Sequence, residues 1–495
     1  MKKRIRSLCL ILAVLFCVGV FAGCNSGDNT SKGGGTGEGA DEAFPYSMQL
    51  DPKDPIRILC VNTERHKYGV QQFDYLEELE GNTINSAVQE RNNKLEELYG
   101  LTFEVSAEQY PSDQMALLIQ GNTDEYDVIC ESVDRLTKGI PQGFYWALDD
   151  YMDISHPWWD EQASESLTLG NKHYLLAGDA IITDDDHTYC TLFNKKMYDT
   201  NTAVSAHGDI YEIVRNGEFT IDLYYEMCKA VSAPDETGAW SIYATYGNVS
   251  HAYGATVMMN GCDIATVRKN EDGELYITVA EENSIKAFDK VYELMSDSQN
   301  TVRAEWLAGK SPTVSSQYGF AEMEELFING RGLFYNGTSS SISILKSKNL
   351  DFEVGVLPIP KYNKEQENYC NTVNRYQSCA LAIPVTVPEE RLETVVFALQ
   401  ALGYYNDDVI YAYYDTTLQL QGVQSDDDAQ MLDIIYGNRF YDIGIINEWG
   451  KLTSLYGNCI ANASTNTLVS SWESMASQVE VDMEAAIKAY EDAGA

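Results

Sequence analysis

Residues 56–130 switch back and forth between two hydrophobic periodicities, and that switching restricts the fold more than anything else in the chain. Ile56 to Val61 (IRILCV) is a run of buried-strand character, apolar at every position but Arg57. From Ile84 to Tyr99 the apolar residues fall at 84, 87, 88, 95 and 98, one face of a helix, and Gly100 ends it. Leu101 to Val105 predicts a second strand. Ser112 stands where it can cap a short helix running through Leu117, Leu118 and Ile119 to Gln120, and Tyr126 to Cys130 (YDVIC) predicts a third strand. Strand, helix, strand, helix, strand is the grammar of a parallel sheet with right-handed crossovers. Ligands bind such sheets beyond the carboxyl ends of their strands, so the segments after Val61 and Cys130 are candidate cleft loops.

The rest of the chain is also mixed. Thr220 predicts a helix cap, with Leu223, Tyr224, Met227 and Val231 turned inward. Helices are expected over Glu282–Met295, Glu322–Ile328 and Glu389–Leu402. Strands are expected over Phe352–Leu357 and Ala380–Ile383, each stopped by a proline. The last third reads as helical and ends with Met475, Val479, Met483, Ile487 and Tyr490 on one stripe. A chain of 495 residues is too long for one compact core, so two to three domain-sized units are expected.

The N-terminus carries a separate signal. Lys2, Lys3, Arg4 and Arg6 precede an apolar run from Leu8 to Val20, 13 residues long. That falls short of the ~20 residues that span a bilayer, so residues 1–23 read as a cleaved signal peptide. Phe21-Ala22-Gly23-Cys24 resembles the lipobox of bacterial lipoproteins, in which the cysteine is acylated and anchors the protein outside the cell membrane. After it, residues 24–43 are mostly small and polar, a flexible tether of roughly 25 Å.

Charge and cysteines narrow the partners. The net charge of −41 becomes −45 once residues 1–23, with four positive and no negative charges, are removed. A surface that acidic repels nucleic acid and anionic lipid headgroups, and fits a neutral or cationic ligand. Eight cysteines lie beyond Cys24, with no C-x-x-C pair and no Cys/His zinc spacing. Export permits disulfides, and Cys370 with Cys379 is a candidate pair.

Eight segments in order carry a family likeness. They are NTINSAVQERNNKLEELYGLTFEV (82–105), EYDVI (125–129), ALDDYMDISHPWWDE (147–161), LFNKKMYD (192–199), GEFTIDLYYE (217–226), FINGRGLFYNG (327–337), VGVLPIPKYNKEQENY (354–369) and ALAIPVTVPEE (380–390). With them the chain resembles the family 1 bacterial extracellular solute-binding proteins, ABC-importer substrate-binding lipoproteins of the maltose-binding-protein type. The resemblance implies an α/β, two-lobed periplasmic-binding-protein-like (type II) fold. Each lobe would be a mixed sheet flanked by helices, with extra C-terminal helices. Lobe one would comprise 44–181 with 379–420, and lobe two 182–378 with 421–495. The chain would cross near Ile181 and Cys379 and once more before the C-terminal helices. It also implies a monomer that closes on a carbohydrate, needs no cofactor or metal, and delivers its ligand to the transmembrane subunits of an ABC permease. Ser232 to Ala239 lacks the acids of the family's calcium-loop-like stretch, and Gly337 to Ser343 lacks the tryptophan of many sugar-binding relatives.

Aromatic rings beside amides and carboxylates suit sugars, whose C–H faces stack while their hydroxyls hydrogen bond. Trp449, Tyr335 and Tyr376 are candidate stacking rings, with Asn336 and Asn374 for hydroxyls. Core packing is the competing reading for Trp449 and Tyr335. Tyr335 and Asn336 are expected just past a strand end, and Asn374 and Tyr376 just before the return crossing. Trp240 sits on a lobe-two loop, and Glu64 and Glu131 follow the first and third strands. Asp184-Asp185-Asp186-His187 lies near the first crossing; hydrogen bonding from Asp186 or His187 to a ligand is favoured over a calcium site, because no loop-spaced glycine and distal acid follow. Trp158 and Trp159 read as core. Enzyme signatures are absent: there is no G-x-S-x-G and no H-E-x-x-H, and Ala308-Gly309-Lys310-Ser311 lacks the first glycine of a phosphate loop. A binding protein for peptides, amino-acid derivatives or polyamines is the alternative reading, and a secreted glycosidase a remote one.

Overall fold

The computed structural model describes residues 43–51, 54–170, 172–418, 425–461 and 464–493. The signal segment, Cys24 and the tether up to residue 42 lie outside them. In chain order the strands are β1 (Ile56–Val61), β2 (Phe103–Glu108), β3 (Val128–Ser132), β4 (Tyr189–Asn194), β5 (Tyr246–Ser250), β6 (Val267–Lys269) and β7 (Leu275–Ile277). They continue with β8 (Thr301–Arg303), β9 (Gly332–Thr338), β10 (Val354–Leu357), β11 (Asn371–Thr372), β12 (Cys379–Ala382) and β13 (Arg439–Phe440).

The first sheet runs β12-β3-β1-β2. β1 pairs in parallel with β2 and β3, while β12 returns antiparallel to β3 with Cys379 opposite Ser132. β1 is apolar at all positions but Arg57 because both its faces are covered: Ile58 and Cys60 enter one core cluster and Leu59 another, while Arg57 pairs with Asp127. The helix before β2, Thr83–Tyr99, is capped by the Asn82 side chain and closed by Gly100 with φ 74°. The next helix, Pro111–Gln120, opens on Pro111 rather than on a Ser112 cap; proline presets the first-turn φ and lacks an N–H that would go unbonded there.

The second sheet runs β10-β4-β9-β5-β8. β9, β5 and β8 are parallel, and β4 lies antiparallel between β9 and β10. Thr220 caps the helix Ile221–Val231 as expected, its Oγ1 accepting from the Leu223 amide. β5 (YGNVS) has no apolar run because buried polar Asn248 stands at its centre, satisfied inside the lobe. Tyr224 Oη donates to Asn248 Oδ1 at 2.9 Å, and Asn248 Nδ2 donates to Thr301 Oγ1 at 3.2 Å.

These are the two lobes of an α/β fold, with the extra helices at the C-terminus. The chain passes between sheets through 182–188 and through 373–378, which lie side by side where Thr188 bridges Val373. Helix Glu389–Tyr404 packs in the core of the first sheet, and helix Asp426–Gly437 with that of the second. The last helix, Leu468–Ala493, spans both lobes, against the expectation that 421–495 stays with lobe two. Its Val479 sits beneath Gly450 in lobe two. Its far end meets lobe one, where Tyr174 Oη donates to the Tyr490 carbonyl at 3.1 Å and the two rings meet edge-on at 5.6 Å.

All eight described cysteines are free thiols. Cys370 and Cys379 do not pair because they face different surroundings: Cys370 lies beside Asp263 and Arg268, Cys379 beside Cys130 and His66.

Candidate functional site

The loop after β1 meets the end of β3, and one arginine ties them. Beyond Val61 the chain turns sharply, with the Arg65 and His66 amides donating to the Asn62 carbonyl. That turn sends the Arg65 guanidinium across to β3, where Nη1 donates to Glu131 Oε1 at 2.6 Å and Nη2 to Ser132 Oγ at 2.7 Å. Nη2 also reaches the Tyr376 carbonyl at 3.2 Å. Glu131 is wholly buried; that burial raises its carboxyl pKa against the pull of Arg65. The Tyr110 ring lies under both Arg65 and Arg135, 5.2 and 4.1 Å from their guanidinium carbons. This wall of the cleft is ionic.

Residues 374–378 form a strap between the lobes. The Asn374 amide donates to the His187 carbonyl at 3.0 Å, and the Asn374 side chain accepts from the Tyr376 amide at 3.1 Å. Tyr376 is left 41% exposed. Arg375 turns the other way and is buried, donating from Nη1 to Thr453 Oγ1 at 2.8 Å and to the Ile445 carbonyl. Its Nη2 stands 3.2 Å from Glu448 of lobe two and 3.8 Å from Asp134 of lobe one.

The opposing wall belongs to the second sheet and is aromatic. β5 ends at Ser250, and His251 and Tyr253 occupy the turn into the helix Gly254–Gly261. Their rings lie parallel with centroids 6.4 Å apart. Tyr189, the first residue of β4, approaches both at 5.8 and 5.9 Å. Exposed Phe320 meets His251 at 5.4 Å, and Tyr376 of the strap reaches Tyr253 at 6.4 Å. Burial lowers the His251 pKa to about 4, so the ring is neutral at physiological pH. The Tyr253 hydroxyl is buried with no hydrogen-bond partner among the described residues.

The first crossing segment forms the floor. His66 Nδ1 and His187 Nε2 are 3.0 Å apart, and burial with the nearby His66 and Arg65 charges holds the His187 pKa well below its ordinary value. Tyr413 Oη donates to Asp186 Oδ1 at 3.0 Å; burial outweighs this bond and lifts the Asp186 pKa to about 6. Asp184 and Asp185 both face buried Arg439, which also binds Asp160 of lobe one. The acidic run therefore serves a buried ion cluster at the crossing.

Among the sequence candidates, Glu131, Asn374, Tyr376, Asp186 and His187 come together at this cleft, although Glu131 lies inside β3, which extends to Ser132 by pairing with β12, rather than after it. Glu64 is solvent-exposed on the loop that carries Arg65. Four others lie elsewhere. Tyr335 and Asn336 sit inside β9 instead of past a strand end, so their side chains enter the lobe: the Tyr335 ring packs on Phe327 at 5.1 Å, and Asn336 Nδ2 approaches Tyr224 Oη at 3.5 Å. Trp449 is 4% exposed in the core with Leu452 and Val479, beside a backbone turned left-handed at Glu448, Gly450 and Lys451. Trp240 packs on Tyr246, at the end of β5 away from the cleft. Sequence reasoning missed Arg65, Arg375, Tyr189, His251, Tyr253 and Phe320. Arg65 was findable, being four residues past Val61, whereas the three lobe-two residues Tyr189, His251 and Tyr253 adjoin strands that show no periodicity.

The family profile described as bacterial extracellular solute-binding protein matches residues 78–389, more than half of the chain. No curated protein matches the sequence. Among solved structures, a cyclo/maltodextrin-binding protein complexed with maltotetraose is similar at TM-score 0.53 and 12% identity, over 88% of this chain and 96% of that one. UgpB from Mycobacterium tuberculosis, in complex with glycerophosphocholine, is similar at TM-score 0.55 and 14% identity, over 87% and 99%. An ABC substrate-binding protein from Listeria monocytogenes in complex with cycloalternan is similar at TM-score 0.50 and 12% identity, over 87% and 98%. At such identities the likeness speaks for the fold alone, and it is the same two-lobed fold. Sequence profile and architecture agree: the chain belongs to the bacterial extracellular solute-binding protein family.

Proposed function

We propose that this protein captures an oligosaccharide between its lobes and passes it to the transmembrane subunits of an ABC permease, acting as a monomer held outside the cell membrane by an acylated Cys24. The observation that carries the sugar is the aromatic wall of Tyr189, His251, Tyr253 and Phe320, standing opposite the ionic wall around Arg65. A pyranose has apolar C–H faces and a rim of hydroxyls, so it needs rings and hydrogen-bonding groups from different directions. The Tyr253 hydroxyl supplies a buried group whose cost is relieved when a ligand oxygen reaches it. The oligosaccharides in the maltotetraose and cycloalternan complexes point the same way.

In this reading Tyr376, Asn374 and His187 face the ligand beside the aromatic wall, while Glu131 acts by holding Arg65. Tyr335, Asn336 and Trp449 stiffen lobe two behind that wall. The lobes are 44–181 with 379–420 and 182–378 with 421–495, less the docked end of the last helix, and they close about the crossings near Ile181 and Cys379.

A ligand screen on the full chain with neutral oligosaccharides, dipeptides and polyamines tests this. An oligosaccharide at ~100-fold excess over its Kd should add about 2.7 kcal/mol of stability and compact the scattering profile. Binding of peptides or polyamines without any glycan would remove the sugar. Cleavage of a bound glycan would remove the capture role.

A further inference from the structure

The rings of the cleft do not stop at its rim. Phe320, which meets His251 inside, is 49% exposed, and Tyr318, Trp306 and Tyr243 beyond it are 61%, 40% and 55% exposed. A short helix, Ala304–Leu307, joins the two regions. On one side Glu305 Oε1 accepts from the amide of Ala252, in the cleft turn, at 2.8 Å. On the other, Trp306 lines a pocket of about 390 Å³ with Trp240, Tyr243, Lys310 and Ser311. Gly319, just before Phe320, packs so tightly on the Ala304 carbonyl that a Cβ there would lie 1.7 Å from its oxygen. The Phe320 turn and the Trp306 helix are thus locked together.

Like the cleft wall, the pocket is aromatic. It offers two indole rings and a phenol, with a cation over a ring face on each side: Lys310 Nζ lies 3.6 Å from the Trp306 centroid, and Arg331 lies 5.1 Å from that of Tyr243. The cations hold the rings in place, and Lys310, itself part of the lining, can donate to a ligand hydroxyl. Its volume falls within the 300–1,000 Å³ range typical of small-molecule sites and suits one or two sugar rings.

We infer that the pocket between Trp240, Tyr243 and Trp306 is an outer subsite for the distal end of the same glycan chain that enters the cleft, making the protein selective for chains too long for the cleft alone. This rests on the sugar reading of the cleft and extends it to chain length. Neutral oligosaccharides suit the pocket because stacking needs no charge and the chain as a whole is strongly acidic.

The test is calorimetric titration of the full chain with α-glucan, β-glucan, xylan and mannan oligomers of two, four and eight units. In the series that binds, the octamer should bind at least tenfold more tightly than the tetramer. Trp306→Ala should abolish that gain while leaving tetramer affinity within twofold, and Tyr243→Ala should do the same. Both residues are exposed, so an unchanged melting temperature certifies the fold. An octamer no tighter than the tetramer, or a length gain that survives both substitutions, overturns the outer subsite and leaves cleft capture standing. Failure of every tetramer and octamer to bind overturns both.

Discussion

The two walls of the cleft solve opposite problems. On lobe one, Arg65 joins Glu131, Ser132 and the Tyr376 carbonyl, so each charge is matched before any ligand arrives. On lobe two, Tyr189, His251, Tyr253 and Phe320 approach one another only at 5.4–6.4 Å, and the Tyr253 hydroxyl is buried with no partner among the described residues. Charges taken from water must be paired at once, since their desolvation costs several kcal/mol each. Rings carry no such demand and can wait for a partner. The ionic wall is therefore a matter of folding, and the aromatic wall a matter of recognition.

The hardest way to break this contrast is Arg65→Ala. It strands the Glu131 carboxylate, which is wholly buried, and removing one member of a buried pair costs about 3–5 kcal/mol. Urea denaturation should show a loss of that size, with Arg65→Lys recovering only part because a single ammonium cannot span three acceptors. A loss below about 1 kcal/mol would mean that the ionic wall is not structural.

Next comes the floor on which both walls rest. The Asp186 carboxyl has its pKa raised from 3.8 to about 6 in the folded chain. Between those values the folded state holds a proton that the unfolded state releases. The stability this contributes is full below pH 3.8 and is lost as pH rises through about 6, so the charged carboxylate is a burden at pH 7. Asp186→Asn keeps an acceptor for Tyr413 and removes the charge. It should stabilise the chain by up to about 3 kcal/mol at pH 7.5 and be near neutral at pH 4, read from melting temperatures across that range. A gain independent of pH would show that Asp186 does not titrate there.

The same contrast explains what was legible in the sequence. β1 and the helix Thr83–Tyr99 could be read almost to the residue because buried parallel strands and amphipathic helices announce themselves through apolar spacing. The loop after β1 was legible too, since a parallel sheet puts ligands at strand ends, but β3 runs on to Ser132 and passes straight into the helix Val133–Gly139, leaving no loop there. β4 and β5 were not, because Thr191 and Asn248 put buried polar side chains where an apolar pattern was sought. Without a pattern to mark those strands, Tyr189, His251 and Tyr253 have no address in the sequence, whereas Trp449 and Tyr335 stand out there and are core. Composition marks a ring as able to stack; only the strand order tells which face of a lobe it meets.

Tyr253→Phe sharpens the recognition side. It removes a buried hydroxyl that has no partner among the described residues, so the ligand-free chain should become about 1 kcal/mol more stable. Glycan affinity should fall by about the same amount, because the ligand loses that hydrogen bond while keeping the ring. Opposite signs on one variant, from melting and from calorimetry, are the signature of a group held for a ligand. A loss on both axes would make Tyr253 an ordinary structural tyrosine.

The smallest effect is expected where the lobes touch at their rim. Lys138 of lobe one stands 3.9 Å from Glu448 of lobe two and 3.6 Å from its own neighbour Asp134. The Lys138 and Glu448 side chains are about half exposed, and such surface pairs contribute ~0–1 kcal/mol. Lys138→Ala should thus move the melting temperature and the ligand-free scattering radius very little, and 1 M salt, which shortens the Debye length to about 3 Å, should reproduce the variant in the parent chain. The contrast between the walls depends on this result. If lobe closure is driven by a ligand bridging the aromatic wall to the ionic one, a solvent-screened pair at the rim has little to hold shut. A marked expansion of the ligand-free chain on losing Lys138, erased in the parent by salt, would instead make the rim pair a latch that competes with the ligand for control of the cleft.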